Sequence, residues 1–315
     1  MTLRVGIVGA TGYVGSEIAR WVLGHPRLEL VAPCSTTQVG VPLAQAVPAL
    51  LGCTDLVLEP PDPARLDKLD VVFLATPHGA AKPLAAQLFA PVLVDASADH
   101  RLHPSWVHGP PELLGDRIRG ARRLAAPGCF ATAVMLGVGP LVRAGAVSGP
   151  VCVAAATGST GSGASPTATT HHPERFANLR AYAVGTHRHV PEIAAVLGAL
   201  GDAPPVHLVP QSAPVDRGIF ATCFVPVADV DPVAIVRDAY ARAPLVRLRE
   251  GSPELRHVRG TAFADLAVHH HDGIATVLVA IDNLGKGAAA QAVQLLNLAL
   301  GLHEAVGLCL PAVTP

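Results

Sequence analysis

The first third of the chain alternates short apolar runs with stretches of helical spacing. Apolar runs occupy residues 3–8, 28–35, 70–79 and 90–99, and SEIARWVLGHP after the first run places apolar residues at helical intervals. Strands that alternate with helices are typical of a parallel sheet. The pattern predicts a doubly wound, Rossmann-type domain of the α/β class, in which ligands bind beyond the carboxyl ends of the strands.

The pattern changes after residue 128. The segment ATAVMLGVGPLVRA, which follows Cys129, has helical spacing, and residues 286–302 form a second long apolar stretch of the same kind. Between them the sequence predicts a strand that enters a Gly/Ser/Thr-rich loop, a helix, and four further strands, two of them joined by an Asp-Gly turn: 149–170, 190–200, VHLVPQS, GIFATCFVPV and FADLAVHHHDGIATVLVAIDN. These hairpin signals predict a second, α+β domain with a mixed, largely antiparallel sheet.

Composition narrows the class of protein. A length of 315 residues accommodates two domains, and the formal net charge of −1 gives no indication of nucleic-acid or anionic-membrane binding. The N-terminal run has no basic segment or cleavage site, and no apolar run reaches the roughly 18 residues of a membrane span, so we expect neither a signal peptide nor membrane insertion. The six cysteines form no CxxC pair, which favours reduced thiols and a cytoplasmic protein.

A glycine-rich turn follows the first strand. Gly9, Gly12 and Gly15 stand at intervals of three between a strand and a helix, where glycines let the backbone approach a pyrophosphate. The end of the second strand, residues 34–37, reads Cys-Ser-Thr-Thr and carries no carboxylate for a ribose 2′-hydroxyl. We therefore expect NADP rather than NAD.

The same glycine turn opens many short-chain dehydrogenases and epimerases, which use a Tyr-x-x-x-Lys pair as acid and base. The tyrosines of this chain are Tyr13, Tyr182 and Tyr240, and none has a lysine four residues later. The sequence disfavours an epimerase of this kind for that reason. A non-catalytic NADP-binding protein is the other alternative. Such a protein would need no reactive cysteine, so a candidate nucleophile in the sequence distinguishes the two classes.

Cys129 is the candidate nucleophile. It follows Pro127-Gly128 and begins a predicted helix, whose N-terminal N–H groups and dipole favour a thiolate and can hold an oxyanion. His187 and His189 precede another helix and are candidates for its acid or base. A metal site is the competing interpretation of this histidine pair, but the pair and the clusters at 171–172 and 269–271 lack ligand spacing, so we expect no metal.

The sequence resembles the N-acetyl-γ-glutamyl-phosphate reductase family, within the aspartate-semialdehyde-dehydrogenase-like fold. The resemblance covers nearly the whole chain and rests on GIVGATGYVG, VFLATPHG, LVDASADHRL, APGCFATA, TGSTGSGASP, HHPERFANLRAY, GTHRHVPEI, PVDRGIFATCFV and AIDNLGKGAAAQAVQLLNLALGL. It implies NADPH-dependent reduction of an N-protected γ-glutamyl or α-aminoadipyl phosphate to the semialdehyde, as in arginine or lysine biosynthesis. Cys129 would form a thioester, and His187 or His189 would activate the thiol and protonate the oxyanion.

The resemblance also implies how the chain is divided. Residues 1–128 and 288–315 would form the NADP-binding domain, and residues 129–287 the domain for catalysis and oligomerisation, in a homodimer or homotetramer. The cofactor residues it implies are Gly9, Thr11, Gly12, Tyr13, Val14, Ser35, Thr36, Thr76, Pro77, His78, Ser97, Gly158, Ser159, Gly161, Asn283 and Lys286. The substrate residues would be Arg101, Arg175, Arg180, Glu192 and Arg217.

Two positions depart from the common family pattern. His100 stands where the family often has an aromatic residue, and Phe130-Ala131-Thr132 replaces Tyr-Pro-Thr after the cysteine. With HHPER, this resembles the branch whose substrates are held by the amino-group carrier protein LysW. The resemblance therefore favours a carrier-linked substrate, with free N-acetyl-γ-glutamyl phosphate as the alternative. The basic side chains Arg175, Arg180 and Arg188 would then meet an acidic carrier, in partly exposed contacts.

Overall fold

The computed structural model describes residues 2–89 and 91–313. Within that part of the chain, two compact units are present. The first unit comprises Met1–Pro111, Gly115–Pro127 and Ala288–Leu308, and the second comprises Glu112–Leu114, Gly128–Gly287 and Cys309–Pro315.

The first unit contains a six-stranded sheet in the order β2-β1-β3-β4-β6-β5, and every pair in it is parallel. The predicted doubly wound α/β domain is confirmed. Two of the predicted strands are shorter than expected because their last residues form loops at the carboxyl edge, and Ala90 of the predicted 90–99 strand lies outside the described residues. The strands are β1 (Leu3–Val8), β2 (Leu28–Cys34), β3 (Val71–Leu74), β4 (Val92–Asp95), β5 (Val107–His108) and β6 (Arg123–Ala125).

Helices pack on this sheet, and the first of them shows how. Ile18, Ala19 and Val22 lie on its buried face, and a side chain of the size of Ile18 or Val22 contributes about 1.5–3 kcal/mol when it is removed from water. The helix begins after the extended Gly12 and ends at Gly24. The helices of the unit are Tyr13–Leu23, Leu43–Ala46, Pro63–Leu66, Ala81–Ala85 and Ala290–Ala299, with a 3₁₀ turn at Pro48–Leu50 and the helix Pro111–Ile118 at its boundary.

The second unit contains a seven-stranded sheet in the order β11-β12-β13-β10-β7-β9-β8. Two strand pairs, β11 with β12 and β7 with β9, are parallel and the others are antiparallel, so the predicted mixed, largely antiparallel sheet is confirmed. The Asp-Gly turn is as predicted, since Asp272 and Gly273 both have positive φ, 48° and 73°. The strands are β7 (Val151–Thr157), β8 (Arg180–Ala181), β9 (Val206–Ser212), β10 (Ile219–Pro226), β11 (Val246–Leu248), β12 (Ala264–His271) and β13 (Ile274–Ile281).

Four helices accompany this sheet: Cys129–Arg143, His172–Arg175, Val190–Gly198 and Pro232–Tyr240. The first is the longest and is buried along nearly its whole length. A side chain at Gly137 would place its Cβ 3.1 Å from Val279 and 3.4 Å from the Cys223 sulfur, so this glycine lets the helix lie close to the sheet. Burial raises the pKa of Cys223 to about 12, which makes it an inert structural thiol.

The predicted helix over 286–302 is wrong in its form. Residues Gly285–Ala289 form a π-helical turn, the α-helix covers only Ala290–Ala299, and the two lie largely in different units. The cause is close backbone approach. A Cβ on Gly285 would lie 2.2 Å from the carbonyl oxygen of Thr261, and one on Gly287 would lie 2.8 Å from Cβ of Cys129. The apolar periodicity detects the helix but not this bulge.

None of the helices in the described ranges is both long enough and apolar enough to cross a bilayer.

Candidate functional site

Cys129 occupies the first position of the Cys129–Arg143 helix in the second unit. Gly128 before it is extended, with φ −68° and ψ 153°, and supplies no side chain to the cap. The thiol is half-buried and is not in a disulfide. Since Gly287 has no side chain, its backbone can lie directly against Cβ of Cys129. The sequence thus places the thiol where the N–H groups of a helix stabilise negative charge.

A cavity of about 350 Å³ opens beside this thiol, entirely within the second unit. Both predicted histidines line it and are buried, with ring centroids 4.6 Å apart and planes at 84°. His187 also makes an edge-on contact with Phe130, at 5.4 Å between centroids. The structure therefore brings together the candidate nucleophile and the two candidate acid–base residues.

His187 is held in one tautomer. The backbone N–H of His189 donates to its Nδ1 at 3.2 Å, so the proton of the neutral ring lies on Nε2. Burial lowers the pKa of His187, the adjacent Arg188 lowers it further, and Glu192 opposes the shift. The neutral ring with an Nε2–H donor is thus the favoured form near neutral pH.

Glu192 connects the nucleophile to the histidine pair. Its carboxylate accepts the backbone N–H of Gly128 at 3.0 Å, and its other oxygen lies 3.7 Å from Nε2 of His189. The side chain is 3% exposed. The resemblance placed Glu192 among the substrate residues, whereas these contacts fix the loop before Cys129. Sequence reasoning missed this use, and the His-x-x-Glu spacing on the first helical turn is the signal that indicates it.

Two cavity residues did not stand out in the sequence. Tyr182 and Thr157 line the wall beside Cys129. Burial, and the nearby Cys129, raise the pKa of Tyr182 to about 12, so its phenol stays protonated. The closeness of Tyr182 in sequence to His187 was the available signal.

The four predicted substrate arginines occupy different environments. Nε of Arg101, in the first unit, donates to the carbonyl oxygen of Ala126 at 3.1 Å. Arg217 forms a two-point ion pair with the buried Asp282, at 3.0 and 2.9 Å. Arg180 is exposed, but the expectation of partly exposed contacts is wrong for Arg175, whose side chain is turned into the protein.

The predicted cofactor residues of the second unit are engaged with the protein. Oδ1 of Asn283 accepts the N–H of Gly218 at 2.7 Å, and its Nδ2 donates to Oγ1 of Thr160 at 3.0 Å, which anchors the loop of Gly158, Ser159 and Gly161. Lys286 is fully buried and donates to Oε1 of Glu112 at 2.5 Å. The polar ends of Asn283 and Lys286 therefore already have structural partners.

The glycine turn of the first unit fits a dinucleotide. Gly9 has φ 86°, and a Cβ there would lie 2.4 Å from the carbonyl oxygen of Ala75. A Cβ on Gly15 would lie 2.0 Å from the carbonyl oxygen of Gly9, whereas Gly12 has room on its open side. Oγ1 of Thr76, two residues after β3, is buried without a hydrogen-bond partner in residues 2–89 and 91–313. The backbone of the turn, which also contains Thr11, Tyr13 and Val14, is thus open for a pyrophosphate at Gly12. The Thr76 hydroxyl makes no hydrogen bond to the described residues.

The end of β2 has the polarity expected for a phosphate neighbour. Ser35 is buried, and its Oγ accepts the N–H groups of Thr37 and Gln38 at 3.3 Å, which shapes the turn. Thr36 and Thr37 are exposed. The Ser35 hydroxyl is therefore engaged in hydrogen bonds with the backbone, and the hydroxyls exposed to a ligand at this position are those of Thr36 and Thr37.

The loops that follow β3 and β4 are held in place by hydrogen bonds within the protein. Pro77 and His78 are exposed, and Nδ1 of His78 accepts the N–H of Ala98 at 3.3 Å. Ser97 is buried, and its Oγ accepts the N–H of Asp99 at 3.1 Å. Asp99 in turn accepts N–H groups of the 79–82 turn, so it holds that turn in place.

Neither of the remaining histidine clusters forms a ligand set. Residues 171–172 and 269–271 are exposed. Among the residues that the structure describes, no group of three or more His, Cys, Asp or Glu is placed to hold a metal ion.

Each of the two units contains a segment that matches a known domain family. Residues 4–121 match the semialdehyde dehydrogenase NAD binding domain, and residues 129–283 match the semialdehyde dehydrogenase dimerisation domain. The chain is 42% identical to an N-acetyl-γ-glutamyl-phosphate reductase from Salinispora tropica, with 100% of each chain covered. Aspartate semialdehyde dehydrogenase II from Vibrio cholerae has a TM-score of 0.77 at 17% identity, covering 95% of this chain and 98% of that one. Aspartate semialdehyde dehydrogenase with NADP from Candida albicans has a TM-score of 0.73 at 14% identity, covering 95% and 98%.

The fold and the matched domains define an oxidoreductase of the class that acts on acyl phosphates and aldehydes. The name of the second domain is in keeping with a homo-oligomer, and the match of residues 4–121 to an NAD binding domain supports the prediction of a nicotinamide dinucleotide cofactor. At 42% identity over its full length, the chain belongs to the N-acetyl-γ-glutamyl-phosphate reductase family.

Proposed function

We propose that this protein reduces N-acetyl-γ-glutamyl phosphate to the semialdehyde, with NADPH as reductant and inorganic phosphate as the second product. The observation that carries the proposal is the cavity in which Cys129, at a helix N-terminus, lies with His187 and His189. We assign NADP binding to the first unit, and catalysis and subunit contacts to the second. The names of the relatives support this substrate.

Cys129 is the nucleophile in this proposal. Its thiolate attacks the acyl carbon, a carbon–sulfur bond forms, and the bond from that carbon to the phosphate oxygen breaks. The N–H groups of the helix N-terminus hold the oxyanion that develops. NADPH, when bound, supplies the hydride that reduces the thioester, and the carbon–sulfur bond then breaks to release the aldehyde and the thiolate.

The two histidines have separate proton roles. His187 presents Nε2–H as a donor and stabilises or protonates the oxyanion, because its Nδ1 is occupied by a backbone N–H. His189 is the base that takes the thiol proton, and Glu192 orients it. This division assigns acid and base to neighbouring rings of one cavity.

The proposed activity is tested in the reverse direction. Phosphate-dependent reduction of NADP by N-acetylglutamate semialdehyde is expected, and alkylation of the thiols should abolish it. A rate that does not depend on phosphate contradicts an acyl-phosphate reductase.

Cofactor choice gives a second test. The exposed hydroxyls at 36–37 and the absence of a carboxylate in residues 34–37 favour the 2′-phosphate, so kcat/KM should be higher with NADPH than with NADH. Ser35→Asp should shift this ratio towards NADH by about tenfold, because a carboxylate repels the 2′-phosphate. Ser35→Ala is the matched control, since it removes the same hydroxyl without adding charge. If Ser35→Asp and Ser35→Ala change the NADPH-to-NADH ratio of kcat/KM equally, the added charge has no effect and only the turn has been disturbed.

A carrier-linked substrate is the second candidate. Arg180 and Arg188 are exposed, and Arg180 lines an open surface cavity of about 510 Å³ with His171 and Glu174. Exposed arginines of this kind suit an acidic carrier protein through salt-sensitive contacts. The same assay with a carrier-linked semialdehyde decides between the candidates. A lower KM for the linked form, rising with salt, supports the carrier, whereas turnover of the free form alone excludes it.

A further inference from the structure

Arg175 is the exception in an otherwise exposed segment. From 161 to 186, a range that the structure describes completely, Arg175 is the only buried residue. Its relative exposure is 9%, although the residues on both sides of it are exposed. A surface segment that buries its arginine rather than its phenylalanine, the 69% exposed Phe176, is not explained by the hydrophobic effect.

The guanidinium of Arg175 is poorly satisfied where it lies. Nη2 donates to the carbonyl oxygen of Thr157 at a long 3.4 Å, and Nε is buried without a hydrogen-bond partner in the described part of the chain. Burial lowers the pKa of Arg175, and Arg180 lowers it further, while the nearby Tyr182 opposes them. A buried cation with an unused donor is costly unless an anion is present for part of the protein's working cycle.

A second unused group lies in the same cavity. Oγ1 of Thr157 is buried and likewise lacks a partner among the described residues. Arg175, Thr157, Tyr182 and Ser212 all line a cavity of about 200 Å³. This cavity shares Thr157, Ser162 and Tyr182 with the cavity of Cys129, so the two are adjacent chambers of one unit. A molecule whose reacting carbon is at Cys129 can therefore extend its other end towards Arg175.

We propose that Arg175 binds the carboxylate at the non-reacting end of the substrate, with the Thr157 hydroxyl as a second donor. This inference rests on the proposed function, because it takes the reacting end to be at Cys129. The leaving phosphate stays next to the attacked carbon, whereas the α-carboxylate is separated from that carbon by the rest of the side chain. An arginine fork matches a carboxylate in two hydrogen bonds, which lysine does not reproduce.

Two aldehydes separate this role from a structural one. N-acetylglutamate semialdehyde carries the carboxylate, and 4-acetamidobutanal is the same chain without it. In Arg175→Gln, kcat/KM for the first should fall about 10–100-fold, as expected for a lost charged hydrogen-bond pair. The value for 4-acetamidobutanal and the KM for phosphate should stay at the wild-type level, and Arg175→Lys should recover only part of the loss. Arg237→Gln, at an exposed arginine of the same unit, is the control.

A binding measurement keeps this test separate from the proposed activity. N-acetylnorvaline, which has the carboxylate but no reactive end, should slow the alkylation of Cys129 by iodoacetamide in the wild type and not in Arg175→Gln. N-butylacetamide, which lacks the carboxylate, should protect neither protein. If protection is seen but no semialdehyde is turned over, the proposed function fails and the carboxylate site stands.

Three results would overturn the proposal. An equal loss with both aldehydes makes Arg175 structural. A raised KM for phosphate with an unchanged KM for the aldehyde makes it a phosphate site. Turnover of both aldehydes at the same efficiency by the wild type, without protection by N-acetylnorvaline, means that no carboxylate is recognised there.

Discussion

Serine in place of Cys129 is expected to lower phosphate-dependent NADP reduction by roughly a thousandfold or more while NADP binding stays unchanged. An alcohol at neutral pH is far less ionised than a thiol, even at a helix N-terminus, and it forms an ester where the mechanism needs a thioester. The substitution is nearly isosteric, so the packing against Gly287 should survive. The measurements are steady-state kinetics with N-acetylglutamate semialdehyde and titration of NADPH by its fluorescence.

Cys152→Ser is the matched control, because Cys152 is an exposed thiol on β7 of the same unit. It should leave activity at the wild-type level. Turnover in Cys129→Ser close to that of the control would refute covalent catalysis and leave a direct hydride transfer that needs no thiol. Loss of activity in both variants would point to general damage rather than to a missing nucleophile.

Methionine in place of Lys286 is expected to lower the free energy of unfolding by about 3–5 kcal/mol. The side chains of Lys286 and Glu112 are both fully buried and form an ion pair, so the single change removes the opposite charge from a carboxylate in the interior. Replacing both, Lys286→Met with Glu112→Leu, should recover most of the loss because apolar side chains of similar volume suit a dry site. Urea unfolding of the wild type, both single variants and the double variant measures the coupling.

The same four proteins also test the role that family resemblance assigned to Lys286. If the ion pair is its whole function, the double variant should regain stability and NADP affinity together. A double variant that is stable but binds NADP weakly would show that the ammonium serves the cofactor. In that case the ammonium of Lys286 has a second role besides the ion pair with Glu112.

The sequence was sufficient for features that depend on neighbouring residues. Strand β1 appears at the residues expected, the Asp-Gly hairpin forms where it was expected, and Cys129 begins its helix, because local spacing and turn residues determine each of them. The same signals fail for very short elements. The two-residue strand β5 and the three-residue strand β6 are too short to show periodicity. They form because β6 pairs with the edge of β4, and β5 then pairs with β6.

The site was only partly predictable, since its parts come from distant places in the chain. The sequence alone nominated Cys129, His187 and His189 from residue type and position. It did not indicate that Glu192 holds the loop before Cys129, or that the predicted cofactor residue Lys286 pairs with Glu112, 174 positions away.

The sequence by itself determined the class of fold, the glycine turn and the nucleophile. The turn and the nucleophile are encoded by neighbouring residues, and the class of fold follows from the order in which such local patterns repeat along the chain. Only the tertiary structure decided which charged side chains are buried. The resemblance predicts partly exposed contacts for both Arg175 and Arg180, yet Arg175 lies inside and Arg180 outside, a few residues apart. The burial of a charge depends on which distant groups surround it, here Thr157 and Tyr182, and a linear pattern contains no information about those neighbours until the chain has folded.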